Sequence, residues 1–523
     1  MIDFFSNKTK KRLKWLGFFC LASLFLFLLT EKINLITADL GRHLANGETF
    51  LFSEKRSALL KTNFYSYTNP DFPFINHHWG SGVIFYLIWL KSGFIGVHLF
   101  FLGIALVTLG IFFLLAKEKA GYFWTILVAF LILPLLAERR EVRPEIFSCF
   151  LGGVFFYLLW TARKKQLSSF WLWLIPFLEI IWVNLHIAFF LGLLILGIFL
   201  FQSIIDGWRY QEFSFFKKLL KISLFTSLAT LINPNGISGA IYPLKIFQNF
   251  GYDLAENKPI WFLENYGIEN PNFFLLKIVL FLLAVSFLGI ILKKRSIFSW
   301  IDFLLAVLFS IMALAAWRNM SLATFFFWPI LATNFRKIFS LPLKIDLELL
   351  SAGIVGYMGL FLWLYVFVFA QTNHTRGLGL QEGVLSSANF FQEQKITGPI
   401  FNNYDIGGYL IFHFKNQEKV FVDNRPEAYP EKFFKEIYIP AQEDPEKWRK
   451  LNDQYNFNCV FFYRHDLTPW GQKFLISLVD NPDWVPVFVD NYTIIFLKKN
   501  EENQPIIDKF KLPREIFAVQ QAF

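Results

Sequence analysis

Few charged residues and few cysteines are the first features of this 523-residue sequence. Charged residues make up 17% of the chain and hydrophobic residues 55%, with a mean hydropathy of +0.43, which is far more apolar side chain than a soluble globular protein could bury. The three cysteines, Cys20, Cys149 and Cys459, lie far apart, so their spacing indicates neither a disulfide framework nor a thiolate metal site. The long apolar runs do not alternate with polar residues, which excludes an outer-membrane barrel.

The apolar runs predict a polytopic α-helical membrane protein, because a helix satisfies its own backbone hydrogen bonds inside lipid. Runs long enough to cross roughly 30 Å of hydrocarbon number about eleven. We place the predicted spans at 15–36, 94–116, 122–137, 146–162, 169–184, 187–205, 216–232, 273–292, 299–316, 320–335 and 348–370.

The net charge of +10 comes from basic residues at the ends of apolar runs. This pattern is typical of membrane topology and not of nucleic-acid binding. With eleven spans, the basic clusters lie on the side of the N-terminus, as the positive-inside rule requires, and the C-terminus lies outside. The first apolar run follows the basic stretch 8–14 without a small-residue cleavage site, which predicts a retained signal anchor and a cytoplasmic N-terminus.

The apolar stretch at 80–90 is too short to cross a membrane. We interpret it as an interfacial helix on the outer leaflet, within a first external loop at 38–93. The sidedness then places every unusual polar cluster on the external face. These clusters are 39–79, 138–145, 184–186, 233–264 and 317–319.

The composition changes near residue 371, where short strand-like runs alternate with helical stretches. Strands are predicted at 399–401, 420–422, 459–462 and 494–496, and helices at 383–394 and 430–439. We therefore predict a transmembrane domain at 1–370, an external soluble α/β domain at 371–500 and a C-terminal tail at 501–523.

Asp39 stands directly after the first span, at the membrane interface. A carboxylate in this place can act as a general base that takes a proton from an acceptor hydroxyl. Arg42 and His43, one helical turn further on, can hold this carboxylate or bind a lipid phosphate. The alternative is structural, because Asp is also a favoured N-cap residue for a helix that begins near Leu40.

His77, His78 and Trp79 close the same loop. Adjacent histidines without a cysteine or carboxylate partner are a poor metal signature. We expect these residues to bind sugar or phosphate, with an interfacial structural role as the alternative.

The second external loop carries Arg139, Arg140 and Arg143 against the positive-inside trend. Guanidinium groups bind phosphate bidentately, so these arginines are candidate phosphate ligands. A surface network with Glu138, Glu141 and Glu145, which are also candidate substrate-binding residues, is the alternative.

His186 and Arg318 lie at the outer ends of the fifth and ninth spans. Ionisable residues at membrane depth are candidates for a functional site, so His186 is a candidate substrate ligand and Arg318 a further phosphate ligand. Snorkelling of Arg318 is the alternative.

The stretch 233–236 indicates a turn. The loops 422–426 and 403–408 of the external domain could face the membrane site, but ordinary turn and capping use is the favoured interpretation.

The order of these features resembles the GT-C superfamily of integral-membrane glycosyltransferases, which includes protein O-mannosyltransferases, aminoarabinose transferases and oligosaccharyltransferases. The topology carries most of the resemblance, over the whole membrane region. The residues that also carry it are Asp39, Gly47, Tyr65-Ser66-Tyr67-Thr68, His78-Trp79, Arg143-Pro144-Glu145, Asn184-Leu185-His186 and Asn233-Pro234-Asn235-Gly236.

The resemblance implies a bacterial inner-membrane enzyme that transfers a hexose or pentose from a polyprenyl-phosphate donor to a protein, lipid or glycan acceptor. It implies inverting displacement on the external face, with Asp39 as the base. Leu40 follows Asp39 where relatives carry a second acidic residue, which weakens the case for a divalent cation, and no cofactor is certain. The alternatives are a flippase or transporter, for which inverted repeats are not evident, and a non-catalytic binder of lipid-linked glycans.

Overall fold

A computed structural model of the protein describes residues 7–245, 248–294, 297–339, 356, 359, 375–415 and 417–517. The predicted last span at 348–370 lies outside these residues, apart from 356 and 359, and so does 518–523 of the predicted tail.

The helices follow the apolar runs of the sequence closely. In chain order they are α1 Asn7–Leu29, α2 Leu40–Phe52, α3 Arg56–Lys61, α4 Trp79–Leu136, α5 Glu145–Arg163, α6 Leu174–Leu185, α7 Phe190–Tyr210, α8 Ser214–Ala229, α9 Gly236–Ile241, α10 Ile260–Asn265, α11 Pro271–Lys294, α12 Trp300–Ala315, α13 Met320–Ile338, α14 Ser386–Glu393, α15 Gly407–Phe414, α16 Ile439–Glu443, α17 Pro445–Tyr455, α18 Gly471–Asp480 and α19 Gln504–Phe510. Short 3₁₀ turns precede α6 and α7, and a π-helical turn, Phe433–Tyr438, precedes α16.

Four helical stretches of the described chain are long and apolar enough to cross a membrane. They are Trp79–Leu136, Glu145–Arg163, Ile187–Tyr210 and Pro271–Lys293, and three shorter apolar stretches are Lys14–Leu29, Ser169–Leu185 and Trp300–Ala315. The polytopic helical fold is therefore established, while the number of about eleven spans stays a prediction.

Helix α4 has 58 residues, and a straight helix of this length would be about 87 Å long, nearly three times the hydrocarbon thickness. Two glycines interrupt it: Gly93 and Gly121 have φ values of +60° and +77°, outside the right-handed helical region. These positions lie between the predicted segments 80–90, 94–116 and 122–137.

Two compact units make up the chain. Unit 1 comprises Met1–Glu31, His98–Gly236 and Leu254–Leu378, and unit 2 comprises Lys32–Val97, Ile237–Asp253 and Gly379–Phe523. Residue contacts thus group the predicted first external loop with the C-terminal segment. The predicted division of the chain at residue 370 stays a prediction.

Aromatic packing fills the interior of unit 1. Phe326 stacks on Phe309 at 3.8 Å between ring centroids and on Phe156 at 5.8 Å. A buried ion pair joins α4 to α12, with the Lys119 ammonium 2.5 Å from the Asp302 carboxylate. Burying both charges is favourable only as a pair, so this contact fixes the two helices against each other.

Unit 2 contains a four-stranded sheet of order β1-β2-β4-β3, with β1 Ile400–Asn402, β2 Cys459–Tyr463, β3 Trp484–Val489 and β4 Thr493–Lys498. Strand β1 pairs parallel with β2 from Ile400 opposite Cys459, and the other pairs are antiparallel. The sequence did not predict β3, which contains Pro486. Proline is tolerated there because β3 is an edge strand with a register shift after Pro486.

The predicted strand at 420–422 does not join this sheet. Val420 forms an isolated parallel bridge with Ser66, and the hydroxyls of Ser66 and Thr68 both donate to the Phe421 carbonyl. The backbone amide of Val420 donates to the Tyr65 carbonyl. The motif Tyr65-Ser66-Tyr67-Thr68 of the first loop therefore binds the C-terminal segment just before residues 423–425.

Candidate functional site

Asp39 lies at the start of α2 in unit 2, but its side chain does not cap that helix. Its backbone is helical, with φ −61° and ψ −15°, and the carboxylate makes no capping hydrogen bond. The Asp39 Oδ1 atom instead accepts a hydrogen bond from the Asn424 amide nitrogen and lies 3.3 Å from Arg42 Nη2. Capping alone therefore does not account for this side chain.

Arg42, Asp39 and Asn424 form a closed ring of contacts, which we call the Asp39 cluster. Arg42 Nε donates to Asn424 Oδ1 at 3.0 Å, while the amide nitrogen of Asn424 donates to Asp39. Arg42 is 5% exposed, and the Asp39 side chain is 21% exposed. The carboxylate is thus partly accessible within a mostly buried frame.

The residues on either side of Asn424 hold the loop in place. The Arg425 guanidinium donates to both oxygens of Asp423, at 2.7 and 2.6 Å, and to Asn63 Oδ1 at 2.9 Å. Although burial opposes it, the Asp423 carboxylate raises the pKa of Arg425. The Tyr429 hydroxyl also donates to Asp423. This buried network orients Asn424 toward α2.

Glycines let the helices approach closely beside Asp39. A Cβ atom on Gly41 of α2 would lie only 2.8 Å from the carbonyl oxygen of Gly408 in α15. Any larger residue would push α15 and its loop away from Asp39.

Further ionisable groups surround the Asp39 cluster in unit 2. Burial, with the neighbouring charges of Asp466 and Asp39, raises the pKa of Asp405 to about 7. Burial also raises the pKa of Glu427. The Tyr404 ring stacks on Tyr252 at 4.2 Å, and its buried hydroxyl has no hydrogen-bond partner among the described residues. The ionisable side chains of this region are therefore largely buried.

The predicted histidines pack as aromatic rings in unit 2. His43 meets His78 edge to face at 5.5 Å, and His78 lies 4.1 Å from His77. His77 also contacts the Tyr242 ring at 5.3 Å, and Trp79 packs on Phe50 at 4.5 Å. The histidine rings thus form one chain of aromatic contacts and Trp79 packs separately, and their predicted sugar-binding role stays a prediction.

A second polar cluster lies in unit 1 and consists of Arg139, Arg143, Arg318, Glu145 and Glu256, which we call the arginine–glutamate cluster. Glu145 contacts Arg139 at 3.1 Å and Arg318 at 2.7 Å. Glu256 contacts Arg139 at 3.1 Å, Arg143 at 2.8 Å and Arg318 at 3.5 Å. The side chains are 15–24% exposed. Three guanidiniums and two carboxylates leave a formal charge of about +1.

Charge pairing dominates the protonation behaviour of this cluster. Burial opposes ionisation of Glu256, but Arg143, Arg318 and Arg139 hold its pKa at about 2. The same contacts raise the pKa of Arg318 against the effect of burial. The three arginines and two glutamates are therefore charged at neutral pH, and the predicted phosphate-binding role of the arginines stays a prediction.

A buried hydrogen-bond chain fixes the ring of His186 in the same unit. The Trp182 indole can only donate, and it donates to Ser148 Oγ at 2.8 Å. The Ala188 amide donates to His186 Nδ1, so this nitrogen is an acceptor, and Ser148 Oγ, 2.7 Å away, donates its proton to it. Burial lowers the pKa of His186 to about 4. The neutral ring therefore carries its proton on Nε2.

The other predicted residues of the second loop have separate partners. Arg140 pairs with Glu31 at 3.3 Å, and Glu141 pairs with Arg143 at an exposed position. Glu138 accepts hydrogen bonds from Asn270, Asn272 and the Trp317 indole. The Glu138 contacts connect the second loop to the start of α11. Of these three residues, only Glu141 contacts a member of the arginine–glutamate cluster, namely Arg143.

The Arg42 and Asn424 groups that contact Asp39 are N–H groups and not the oxygen ligands that a divalent cation takes. Such ions take several oxygen ligands, whereas Asp39 meets a guanidinium and an amide N–H. Across the described ranges, no group of three Asp, Glu, His or Cys side chains is arranged to hold a metal ion.

Sequence reasoning missed several of these residues. Glu256 lies more than a hundred positions from Arg139 and Arg143, and Asn424 lies 385 positions from Asp39. The loop at 422–426 was noticed, but turn use was the favoured interpretation. Ser148 and Trp182 lie in apolar helices, and nothing in the sequence pattern marks them. The only available signal is indirect, because a buried histidine needs a hydrogen-bond partner.

Solved structures with this architecture include two kinds of protein. The archaeal oligosaccharyltransferase AglB of Archaeoglobus fulgidus matches with a TM-score of 0.56 and 11% identity, over 92% of this chain and 74% of its own. ArnT of Cupriavidus metallidurans matches with a TM-score of 0.51 and 11% identity, over 95% of this chain and 98% of its own. The chain has the GT-C fold. Both neighbours belong to the GT-C superfamily, so the fold that the sequence predicted is confirmed.

A third GT-C structure, the same AglB tethered to an acceptor peptide with the NVT sequon, matches with a TM-score of 0.55 and 12% identity, over 93% of this chain and 74% of its own. The sequence matches no protein-family model and no curated protein. The GT-C fold is therefore recognised from the backbone and not from sequence identity.

Proposed function

We propose that this chain is a membrane glycosyltransferase that moves a sugar from a polyprenyl-phosphate donor to an acceptor hydroxyl. The observation that carries the proposal is the Asp39 carboxylate, held by Arg42 and Asn424 and not spent on capping α2. The fold supports the same class, because the AglB structure contains a dolichol-phosphate and a peptide.

In the proposed reaction Asp39 acts as general base. The acceptor hydroxyl transfers its proton to the Asp39 carboxylate as its oxygen forms a bond to the anomeric carbon. The bond between that carbon and the donor phosphate oxygen breaks, and polyprenyl phosphate leaves with the electron pair. Attack from the face opposite the phosphate inverts the anomeric centre. Arg42 Nη2, 3.3 Å from Asp39 Oδ1, positions the carboxylate for this step.

The arginine–glutamate cluster is the proposed site for the donor phosphate. Its three guanidiniums supply more N–H donors than Glu145 and Glu256 can accept, so an oxyanion can share them. His186 adds a neutral N–H donor from Nε2. Among the arginines predicted from the second loop, Arg139 and Arg143 fit this role best, because Arg140 pairs with Glu31 outside the cluster.

We further propose that the site faces the external side of a bacterial plasma membrane, with a cytoplasmic N-terminus. The support is the position of the basic clusters at the opposite ends of the apolar runs. Reporter fusions after residues 165 and 470 test this orientation. A reporter that works only in the cytoplasm should be active when fused after residue 165. A reporter that works only outside the cytoplasm should be active when fused after residue 470.

The function is tested with protein in lipid nanodiscs and a panel of polyprenyl-phosphate-linked hexoses and pentoses. Lipid, glycan and protein fractions of a bacterial envelope serve as acceptors. We expect release of polyprenyl phosphate from at least one donor, with the sugar recovered on one acceptor class. A chain that binds these lipids and moves them across a vesicle membrane, without breaking the sugar–phosphate bond, would be a flippase instead.

A further inference from the structure

We propose that Asn424, in the C-terminal segment, is a positioning residue for the Asp39 carboxylate. The inference rests on the proposed base role of Asp39. It gives the C-terminal segment a part in the chemistry, through one amide that contacts both partners of the Asp39–Arg42 pair.

The chemistry of the position requires an amide. The nitrogen of Asn424 donates to Asp39 Oδ1, and its oxygen accepts from Arg42 Nε at 3.0 Å. A carboxylate here would repel Asp39, and an apolar residue would leave the buried Arg42 Nε without this acceptor. Asparagine is the short side chain that offers a donor and an acceptor at once.

Asn424 also determines how Arg42 meets Asp39. Arginine tends to bind a carboxylate with two parallel N–H groups. Here Arg42 Nε donates to Asn424, and Arg42 Nη2 lies 3.3 Å from Asp39 Oδ1. Both that contact and the bond from Asn424 converge on Oδ1.

The loop around Asn424 is rigid enough for this role. Arg425 is 2% exposed and Asp423 is fully buried, and the two side chains pair through both carboxylate oxygens. Arg425 also reaches Asn63 and lies over the Phe74 ring at 4.6 Å. The first loop therefore holds both neighbours of Asn424, which limits the positions that its amide can take.

Two variants distinguish positioning from a structural role. Asn424→Ala removes both hydrogen bonds, while Asn424→Asp keeps the size and the acceptor for Arg42 but replaces the donor with a second negative oxygen. We expect kcat to fall about 10- to 100-fold in Asn424→Ala and further in Asn424→Asp, with the KM for the polyprenyl-phosphate donor within about twofold. A purely structural role predicts the reverse order, because Asn424→Asp is the milder change in packing.

Asn458→Ala is the matched control. Asn458 is a buried amide of the same unit whose side chain binds Thr397 and Asn503. We expect this variant to lower the melting temperature and leave kcat unchanged. The comparison is made on folded, monodisperse protein. Where only one Asn424 variant folds, its kcat and donor KM are compared with those of Asn458→Ala, and a wild-type kcat contradicts the proposal.

The outcomes separate this inference from the proposed function. If Asp39→Asn loses transfer but both Asn424 variants keep the wild-type kcat, positioning by Asn424 is wrong and the base role stands. If Asn424→Ala loses kcat and donor affinity together with stability, as a misfolded site would, the inference is also wrong. If Asp39→Asn transfers at the wild-type rate, the base role itself fails.

Discussion

The two polar clusters of this protein use arginine in opposite proportions. In the Asp39 cluster one guanidinium and one neutral amide meet a single carboxylate. In the arginine–glutamate cluster three guanidiniums surround two carboxylates. The second arrangement lowers the pKa of its carboxylates, whereas the first pairs its carboxylate with one cation and one neutral donor.

The difference shows why neither cluster could do the work of the other. Additional guanidiniums on Asp39 would hold it ionised as firmly as Glu256, whose pKa is about 2, and remove its use as a base. Fewer guanidiniums in the second cluster would leave nothing to share with a phosphate. Four further predictions test this contrast.

Of these four predictions, the largest effect is expected from removing an arginine of the arginine–glutamate cluster. Arg318→Ala should lower the affinity for polyprenyl phosphate about 10- to 100-fold, because a charged hydrogen bond contributes about 1.5–3 kcal/mol. Microscale thermophoresis with the lipid in nanodiscs measures this. Arg163→Ala is the control, since Arg163 pairs with Asp206 at 2.8 Å elsewhere in unit 1. Equal affinities for both variants and the wild type would exclude the cluster as the phosphate site.

His186 should contribute through the nitrogen that carries the proton. Glutamine places an N–H group near the position of Nε2, whereas asparagine mimics Nδ1. We therefore expect His186→Gln to keep lipid affinity within about threefold and His186→Asn to lose about tenfold. The reverse order would mean that the tautomer assigned from the Ala188 amide and Ser148 is wrong.

Removing a carboxylate should strengthen the second cluster. Glu256→Gln raises its formal charge by one and frees guanidinium donors that now bind Glu256. We expect polyprenyl phosphate to bind about three- to tenfold more tightly, at some cost in stability. Weaker binding would indicate that Glu256 positions the arginines more than it competes for them.

The smallest expected effect is on stability near the Asp39 cluster. The pKa of Asp405 is raised from its ordinary value of 3.8 to about 7, so the folded state holds a proton that the unfolded state has lost. This contribution is fully present below pH 4 and is lost as the pH rises through 7. Asp405→Asn should therefore melt about a few °C above the wild type at pH 8, with a smaller difference near pH 4.5. A pH-independent difference would contradict the shift.

The sequence alone predicts most of the helical fold, because apolar runs set the helix ends. The predicted segments 146–162, 299–316 and 320–335 correspond to Glu145–Arg163, Trp300–Ala315 and Met320–Ile338. The two glycines with positive φ in α4, Gly93 and Gly121, also lie at the boundaries of predicted segments. These signals are local, so a linear pattern contains them.

The parts that could not be predicted depend on contacts across long stretches of chain. Residues 420–422 have the composition of a strand, yet Val420 pairs with Ser66 and not with the sheet. Glu256 and Asn424 are ordinary polar loop residues until folding brings them to Arg143 and Asp39. Periodicity and spacing contain no information on such pairs. The sequence therefore predicts Asp39 and Glu145 as site residues but not Asn424 and Glu256.

The most direct test of the account is the transfer rate of Asp39→Asn at saturating donor, together with its affinity for polyprenyl phosphate. Asparagine preserves the shape of the side chain but cannot accept the acceptor proton. We predict a rate at least about 1000-fold below that of the wild type, with lipid affinity within about twofold, because the phosphate is assigned to the other cluster. Transfer at the wild-type rate would contradict the account.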